Sequence, residues 1–437
     1  MTALPAETLT PVDVPAVPDV APRARLTLEQ RAGTAAATMP AITPAPAPAP
    51  AEDSALLGVY RQPPMELVRG AGVQVFDSAG RGYLDFTSGI GVMALGHGDA
   101  GVAASIQDAV ATGLVHTSNL FRTAPAARLA EALVARSALS SVFFCNSGAE
   151  ANEGAFKFAR RWAREVGGAE KHEIIALRGG FHGRLFATLA ATDRPKYRAP
   201  FRPLTPGVHV VERDLRTLDR VLDANATAAL IVEPVQGEGG VRVLEPDYLR
   251  ALRALTRERG VALILDEIQC GLGRTGWLFA HERSEIIPDI LTLAKPLAGG
   301  LPMGAVLMSG EIARTLHPGD HGTTFGGGPL VCSVALHVLD RLADPALLAA
   351  VRANGEWLGE VLRDMAQRTR RVRAVRGLGY MWGIDVMQPA GEVVAAAREA
   401  GLLVCSAGEF TVRLLPPLVA TREELSDGLA KLEAVLS

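Results

Sequence analysis

The sequence predicts an α/β fold in which helices cover both faces of a largely parallel sheet, joined to a smaller α/β unit at the C-terminal end. Three observations carry that expectation. From Leu56 onward, short apolar runs alternate with helical patterns, the signature of layered α/β architecture. The runs are continuous rather than alternating, as strands buried on both faces require. After Pro329 long helical patterns replace the strand-rich texture.

Four strands are expected to matter most. Val142–Cys145 runs into Asn146-Ser147-Gly148, Leu230–Val232 into Glu233-Pro234, Val261–Leu265 into Asp266-Glu267, and Leu291–Leu293 into Ala294-Lys295. Ligands of open α/β sheets bind beyond the carboxyl ends of the strands, so these turns are expected to converge on one site. Beyond Pro329, Ala335–Leu348 and Val351–Arg368 read as helices, Gly377–Gly383 as a turn into a strand, Thr411–Leu415 as a strand and Glu423–Leu436 as a closing helix. The implied domains are a tail at 1–52, a segment at 53–115 joining the small domain, a large domain at 116–329 and a small one at 330–437.

At 437 residues the chain is too long for one core, which also favours two domains. A net charge of −3 with both signs interspersed gives no electrostatic reason to expect nucleic acid or an anionic membrane as partner. No apolar run approaches the roughly 18 residues of a membrane span. Cys145, Cys270, Cys332 and Cys405 form no CxxC pair, so neither a disulfide framework nor a metal site is expected, and a cytoplasmic location is. The first fifty residues hold ten of the 28 prolines and thirteen alanines. Such a tract cannot bury enough apolar surface to offset its ordering entropy. It lacks a basic start with an apolar stretch and carries Glu7, Asp13, Asp19 and Glu29, so it reads as a disordered tail without targeting function.

Asp266 is the first residue with chemical meaning. A carboxylate directly after five buried aliphatics is costly unless its charge is met. It either caps a helix, closes a salt bridge, or holds a cation: a metal, a substrate amine or a protonated pyridine. Asp266-Glu267 also has the look of a Walker-B strand end, but no G-x-x-x-x-G-K-[ST] loop exists, which removes the ATPase reading. Lys295, at another strand end, is followed by a glycine-proline turn. A lysine held against apolar neighbours has the lowered pKa that Schiff-base chemistry needs, whereas a surface lysine does not. The turn Asn146-Ser147-Gly148-Ala149, followed by a helical register from Ala155 to Trp162, places free backbone N–H groups at a helix start. That is either an ordinary cap or a phosphate seat. Phe181 after Gly179-Gly180 is core packing or a stacking partner for a flat ring, and His182 a hydrogen-bonded turn residue or a base. Together these match the aldehyde, ring nitrogen, phosphate and ring face of pyridoxal phosphate.

The stretches Asp266-Glu267-Ile268-Gln269, Leu293-Ala294-Lys295, Asn146–Asn152 and Glu233–Gly240 resemble the class III, fold type I aminotransferases from about Tyr60 to the C-terminus. Within that class, His116–Phe121, Phe181-His182-Gly183-Arg184 and Arg413–Leu418 look most like the acetylornithine aminotransferases. The resemblance implies pyridoxal 5′-phosphate as cofactor and a fold type I large domain beside a smaller α/β domain. It implies that Lys295 forms the Schiff base and moves the proton, and that Asp266 keeps the ring nitrogen protonated. Ser147, Gly148 and Ala149 would hold the phosphate, Phe181 and Ile268 the two ring faces, and Gln269 the ring hydroxyl. Thr324 would reach the phosphate of a partner subunit and Thr323 that subunit's substrate, in a homodimer with shared sites. Arg413 would clamp a carboxylate, Arg184 contact acetylornithine, and Glu238 pair with Arg413.

The implied reaction transfers the ω-amino group of N-acetylornithine to 2-oxoglutarate, a step of arginine biosynthesis. Ornithine, succinylornithine, γ-aminobutyrate and carrier-protein-linked lysine or ornithine aminotransferases share the cofactor residues and remain alternatives. The chain departs from the family pattern at Gly328, where asparagine is usual, at Leu185 in place of threonine, and in Leu95–Asp99, which lacks a second histidine-proline pair.

Overall fold

Most of the apolar runs become strands that meet in one seven-stranded sheet. The computed structural model describes residues 55–60 and 62–437, and the expected tail at 1–52 lies outside the described residues. Along the chain, β1 (Leu67–Ala71), β2 (Gln74–Asp77) and β3 (Gly82–Asp85) come first, then α1 (Ala100–Ala111) and α2 (Ala124–Ala135). Next are β4 (Ser141–Cys145), α3 (Gly148–Gly167), β5 (Glu173–Leu177), β6 (Val208–Val211) and β7 (Thr227–Val232). The hairpin of β8 (Val235–Gln236) and β9 (Arg242–Val243) precedes α4 (Pro246–Glu258), β10 (Ala262–Asp266), β11 (Ile290–Leu293) and β12 (Gly304–Met308). The C-terminal part holds α5 (Pro329–Leu342), α6 (Pro345–Arg368), β13 (Val372–Leu378), β14 (Met381–Val386) and α7 (Ala390–Glu399). It closes with β15 (Leu402–Leu403), β16 (Cys405–Ser406), β17 (Thr411–Leu414) and α8 (Arg422–Leu436).

The large sheet has the order β4-β12-β11-β10-β7-β5-β6. Its strands pair in parallel from β6 across to β11. Only β12 is reversed, antiparallel to both β11 and β4. The carboxyl ends of β4, β5, β7, β10 and β11 therefore open on one edge. Strands β7 and β10 are buried throughout, which explains their unbroken apolar sequence. Each fully buried Ile or Leu there contributes about 1.5–3 kcal/mol.

Helix α3 lies against this sheet through Ala151, Ala155, Ala159 and Ala163, all fully buried in one cluster with Ile231, Ile264, Ile290 and Val306. Their spacing of four residues keeps them on one helix face. Methyl groups in place of longer side chains let the helix backbone approach closely.

Two further sheets involve the C-terminal part. One has the order β13-β14-β17-β16. The other, β1-β2-β3-β15, brings the early segment to the C-terminal region by pairing Leu84 with Leu402 in parallel.

The structure corrects several expected boundaries. The helix expected at Ala335–Leu348 starts at Pro329 and stops at Leu342, and a new one begins at Pro345. Proline disfavours helical geometry in the residue before it, and the Asp344 carboxylate caps the next helix through the Ala346 N–H. Within Gly377–Gly383 the turn into a strand is confined to Gly379-Tyr380, the tip of a hairpin, with Gly377 still in β13 and Leu378 paired to Met381, the first residue of β14. Asp266 is the last residue of its strand rather than the residue after it.

Candidate active site

The strand ends surround a cavity of about 400 Å³, whose wall includes Lys295, Asp266, Gly148, Phe181, Ile268 and Glu238. Ser147, Ala149, Arg184 and Gln269 also line it. Lys295 and Asp266 thus face one space, as the sequence reading requires.

Asp266 is 3% exposed at the end of β10. Its Oδ2 accepts from Asn152 Nδ2 at 2.7 Å and lies 2.9 Å from His182 Nδ1, and its Oδ1 accepts from the Ile268 N–H at 3.1 Å. Asn152 is tied in turn by the Thr292 hydroxyl, which donates to its Oδ1 at 2.8 Å, and by its own donation to the His182 carbonyl. One helix and two adjacent strands therefore fix a single carboxylate. Burial pushes the His182 imidazole down, but the hydrogen bond and charge of Asp266, with Glu233 assisting, reverse this and raise it above its ordinary value. The Asn152 amide, the Ile268 N–H and the His182 imidazole thus meet the lone pairs of this buried carboxyl group.

Lys295 opens a short helical turn, Lys295–Ala298, directly after β11. Burial, then the positive charge of Arg413, lower its amine below the usual lysine range, against the pull of Glu238, Asp266 and Glu233. A larger fraction of the neutral amine is thereby present near neutral pH.

At the start of α3 the Ser147 hydroxyl accepts from the Glu150 N–H at 3.2 Å, and the Ser147 carbonyl accepts from Ala151. The N–H groups of Gly148 and Ala149 precede the first intrahelical donor, that of Ala151, and both residues line the cavity. A Cβ on Gly148 would lie 2.8 Å from Ile268 Cγ2, so only glycine leaves this cradle open. Phe181, half-buried, is positioned by its N–H donating to Glu233 at 2.8 Å. Arg184 is exposed, its guanidinium 3.8 Å above the Tyr197 ring and 5.9 Å from that of Phe181.

Arg413 sits at 1% exposure and is not part of the cavity wall. Its Nη2 lies 2.7 Å from Glu238 Oε1, its Nη1 donates to Gln269 Oε1 at 3.0 Å, and its Nε reaches Cys405 Sγ at 3.4 Å. Glu238 and Gln269, both on the wall, occupy the two ends of the guanidinium fork. Thr323 and Thr324 do not line this cavity either. Thr323 is held by Asn119, which donates to its carbonyl at 2.8 Å, and by Asn146, whose amide donates to its hydroxyl at 3.2 Å. Thr324 is exposed.

The sequence reading left Asn152 and Glu233 without a role of their own. Asn152 stands four residues after Gly148 on a helix face it shares with Ala155 and Phe156, where a buried amide needs partners. Glu233 follows the buried strand β7 as Asp266 ends β10, and accepts from Phe181 and Gly237 N–H groups at 2.8 and 3.2 Å. Burial raises the Glu233 carboxyl to about 7, with His182 opposing and Asp266 adding to the rise.

A flat, phosphorylated ring with a basic nitrogen suits these groups. Two free N–H donors stand at the start of a 20-residue helix, a fixed carboxylate lies on the same wall, and an amine of lowered pKa shares the space.

The family described as aminotransferase class-III matches residues 58–436. The mitochondrial acetylornithine aminotransferase of Alnus glutinosa is 45% identical over 375 residues, 85% of this chain and 83% of that protein. That of Methanocaldococcus jannaschii is 44% identical over 87% of this chain and 96% of its own. Among solved structures, the ornithine aminotransferase from Toxoplasma gondii ME49 aligns at a TM-score of 0.83 with 33% identity, covering 87% of this chain and 92% of that one. The N-acetylornithine aminotransferase from Stenotrophomonas maltophilia K279a aligns at 0.75 with 37% identity, over 85% and 95%.

Proposed function

Because the chain belongs to the class-III aminotransferases, which use pyridoxal 5′-phosphate, we propose that it moves the ω-amino group of N-acetyl-L-ornithine to 2-oxoglutarate, giving N-acetylglutamate semialdehyde and glutamate. The acetylornithine aminotransferases at 44–45% identity support this substrate. The observation that carries it is the ion pair between Glu238 and the buried Arg413. Glutamate and 2-oxoglutarate bring an α-carboxylate next to the reacting carbon, and a buried guanidinium is the natural bidentate partner for it. An ω-amine substrate has no carboxylate at that place. Leaving Arg413 unpaired would then cost several kcal/mol, which Glu238 prevents by supplying the charge itself.

Pyridoxal phosphate, when bound, supplies the aldehyde that captures an amine and a ring that delocalises the electron pair left on the substrate carbon. The protein does the rest. Gly148 and Ala149 offer N–H groups to the phosphate, with Ser147 capping the helix beneath it. Asp266 holds a proton-bearing ring nitrogen by its charge, and Phe181 and Ile268 confine the two ring faces. Gln269, whose Oε1 is taken by Arg413, would have its amide nitrogen left for the ring hydroxyl. Lys295 would hold the cofactor and, through Nζ, accept and return a proton at the substrate carbon. Arg184, in reach of the cavity mouth, takes the far carboxylate of the acetylated substrate.

The homodimer belongs to the same proposal, with Thr324 meeting the partner's phosphate and Thr323 its substrate. Leu114, Val115, Leu120, Phe121 and Phe325 are large apolar residues between 47% and 87% exposed, on segments joined by the Asn119–Thr323 hydrogen bond. An apolar patch of that kind calls for cover. The division into a large domain at 116–329 and a small one at 330–437, joined by 53–115, fits the separation of the sheets. Among the described residues no helix is long and apolar enough to cross a membrane, and all four cysteines are free, which supports a reducing cytoplasmic setting.

A panel of amino donors assayed with 2-oxoglutarate tests the substrate. N-acetylornithine is expected to give the highest kcat/KM. Turnover of ornithine, succinylornithine or γ-aminobutyrate with none of N-acetylornithine overturns that assignment and leaves the cofactor chemistry standing.

A further inference from the structure

A second cavity, of about 350 Å³, opens away from Lys295 and is lined by five arginines: Arg213, Arg242, Arg283, Arg363 and Arg376. Two are compensated. Arg376 makes a bidentate pair with Asp385 at 2.6 and 2.7 Å, and Arg283 lies 3.4 Å from Glu245. Among the described residues the ion pairs at this cavity are those of Arg283 and Arg376, and Arg213, Arg242 and Arg363 form none. Burial, and then the charges of Arg376 and Arg213, lower the Arg242 guanidinium, with Asp385 opposing. Glu245 lines the same cavity and Asp385 pairs with Arg376, so positive charge exceeds negative there, and such an excess at a concave surface raises the local affinity for anions. Guanidinium forks match phosphate oxygens bidentately. Buried Trp382 forms one wall.

We propose that this arginine-lined cavity binds a phosphate-bearing small molecule carrying two to three negative charges, and that its occupancy acts on the β8–β9 hairpin. Three of the arginines grip that hairpin. Arg213 donates to Gln236 Oε1 at 3.3 Å, Arg242 to the Gly239 carbonyl at 3.0 Å and Arg376 to the Gly240 carbonyl at 2.6 Å. Glu238, the partner of Arg413, lies between those contacts. An anion that draws the guanidiniums toward itself loosens the backbone that aims Glu238. The coupling to catalysis rests on the gating role proposed for Glu238, whereas the binding does not.

Isothermal titration of the holoenzyme with inorganic pyrophosphate tests the binding, and citrate serves as a polycarboxylate comparison. The expected result is saturable pyrophosphate binding, at least tenfold tighter than citrate, weakened at least tenfold in R242Q/R363Q and at least threefold in R363Q alone. R184Q, in the wall of the first cavity, is expected to bind as the parent does. No binding by the parent, unchanged binding in R242Q/R363Q, or loss only in R184Q overturns the site, and citrate binding as tightly overturns the phosphate assignment. Pyrophosphate is further expected to shift KM for glutamate at least twofold in the parent and not in R242Q/R363Q. An unchanged KM in the parent despite measured binding overturns the coupling alone.

Discussion

Arg413 Nη2 and Glu238 Oε1 stand 2.7 Å apart, the arginine 1% exposed and the glutamate on the cavity wall. In the proposed gating, Glu238 swings toward solvent when a substrate carboxylate takes its place on the buried guanidinium. Substituting Glu238→Gln removes the competitor while keeping the shape. KM for glutamate is expected to fall about 3- to 10-fold, equivalent to about 1 kcal/mol, while kcat/KM for the ω-amine falls. Steady-state kinetics of the two half-reactions, run separately, decide it. A parallel change in both contradicts the gating role.

Lys295→Ala is expected to lose the visible absorbance that survives dialysis of the holoenzyme, and to lower kcat by about 100- to 10,000-fold. A spectrum unchanged from the parent removes Lys295 from its assigned place.

Asp266→Ala leaves the Asn152 amide, His182 and the Ile268 N–H without their common acceptor, each orphaned donor costing about 1–3 kcal/mol. Turnover is expected to drop by about 100- to 1,000-fold or more. Far-ultraviolet circular dichroism should stay near the parent's. Near-normal activity would refute the role.

Gly148→Ala sets a methyl 2.8 Å from Ile268 Cγ2 and is expected to weaken cofactor binding at least tenfold in equilibrium titrations of the apoprotein. The double variant with Ile268→Ala makes room for that methyl and should recover part of the loss. No recovery would place the cause elsewhere.

The lowered pKa of Lys295 gives a pH-dependent stability. In the unfolded chain the amine keeps its proton up to about 10.5, whereas in the folded apoprotein it releases it earlier. Between those two values the unfolded state binds more protons, so stability rises with pH. Below the folded value the burial cost is complete and constant. Lys295→Met is therefore expected to stabilise the apoprotein most at neutral pH, with the gain fading as pH approaches 10.5. Denaturant melts at pH 7 and pH 10 measure the difference, and a gain that grows with pH contradicts it.

Much of this was legible in the chain because burial on both faces writes itself into sequence. Unbroken apolar runs marked β7, β10 and β11, and a charged residue at the end of such a run, Asp266, had to be a cap, a salt-bridge partner or a cation's counter-charge. Other features leave no local trace. Gly304–Met308 is as apolar as its neighbours, and its reversal comes from the connection that precedes it. The break at Ala343-Asp344 was visible in Pro345 but was hidden by the leucines and alanines on either side. Arg413 reads as a strand residue, and only the tertiary fold brings Glu238 and Gln269 to its two ends. The arginines of the second cavity come from five separate segments, each of which alone looks like ordinary solvated surface.

The alanine ladder at 151, 155, 159 and 163 has a consequence for redesign. These methyls set the height of the whole helix above the sheet, and the first turn of that helix is the proposed anion seat. Enlarging Ala155 would lift or tilt the rod and carry the seat with it, at about 1–3 kcal/mol of overpacking, although no wall residue had been altered. The depth of the catalytic chamber is thus tuned from a position a designer of binding sites would never touch.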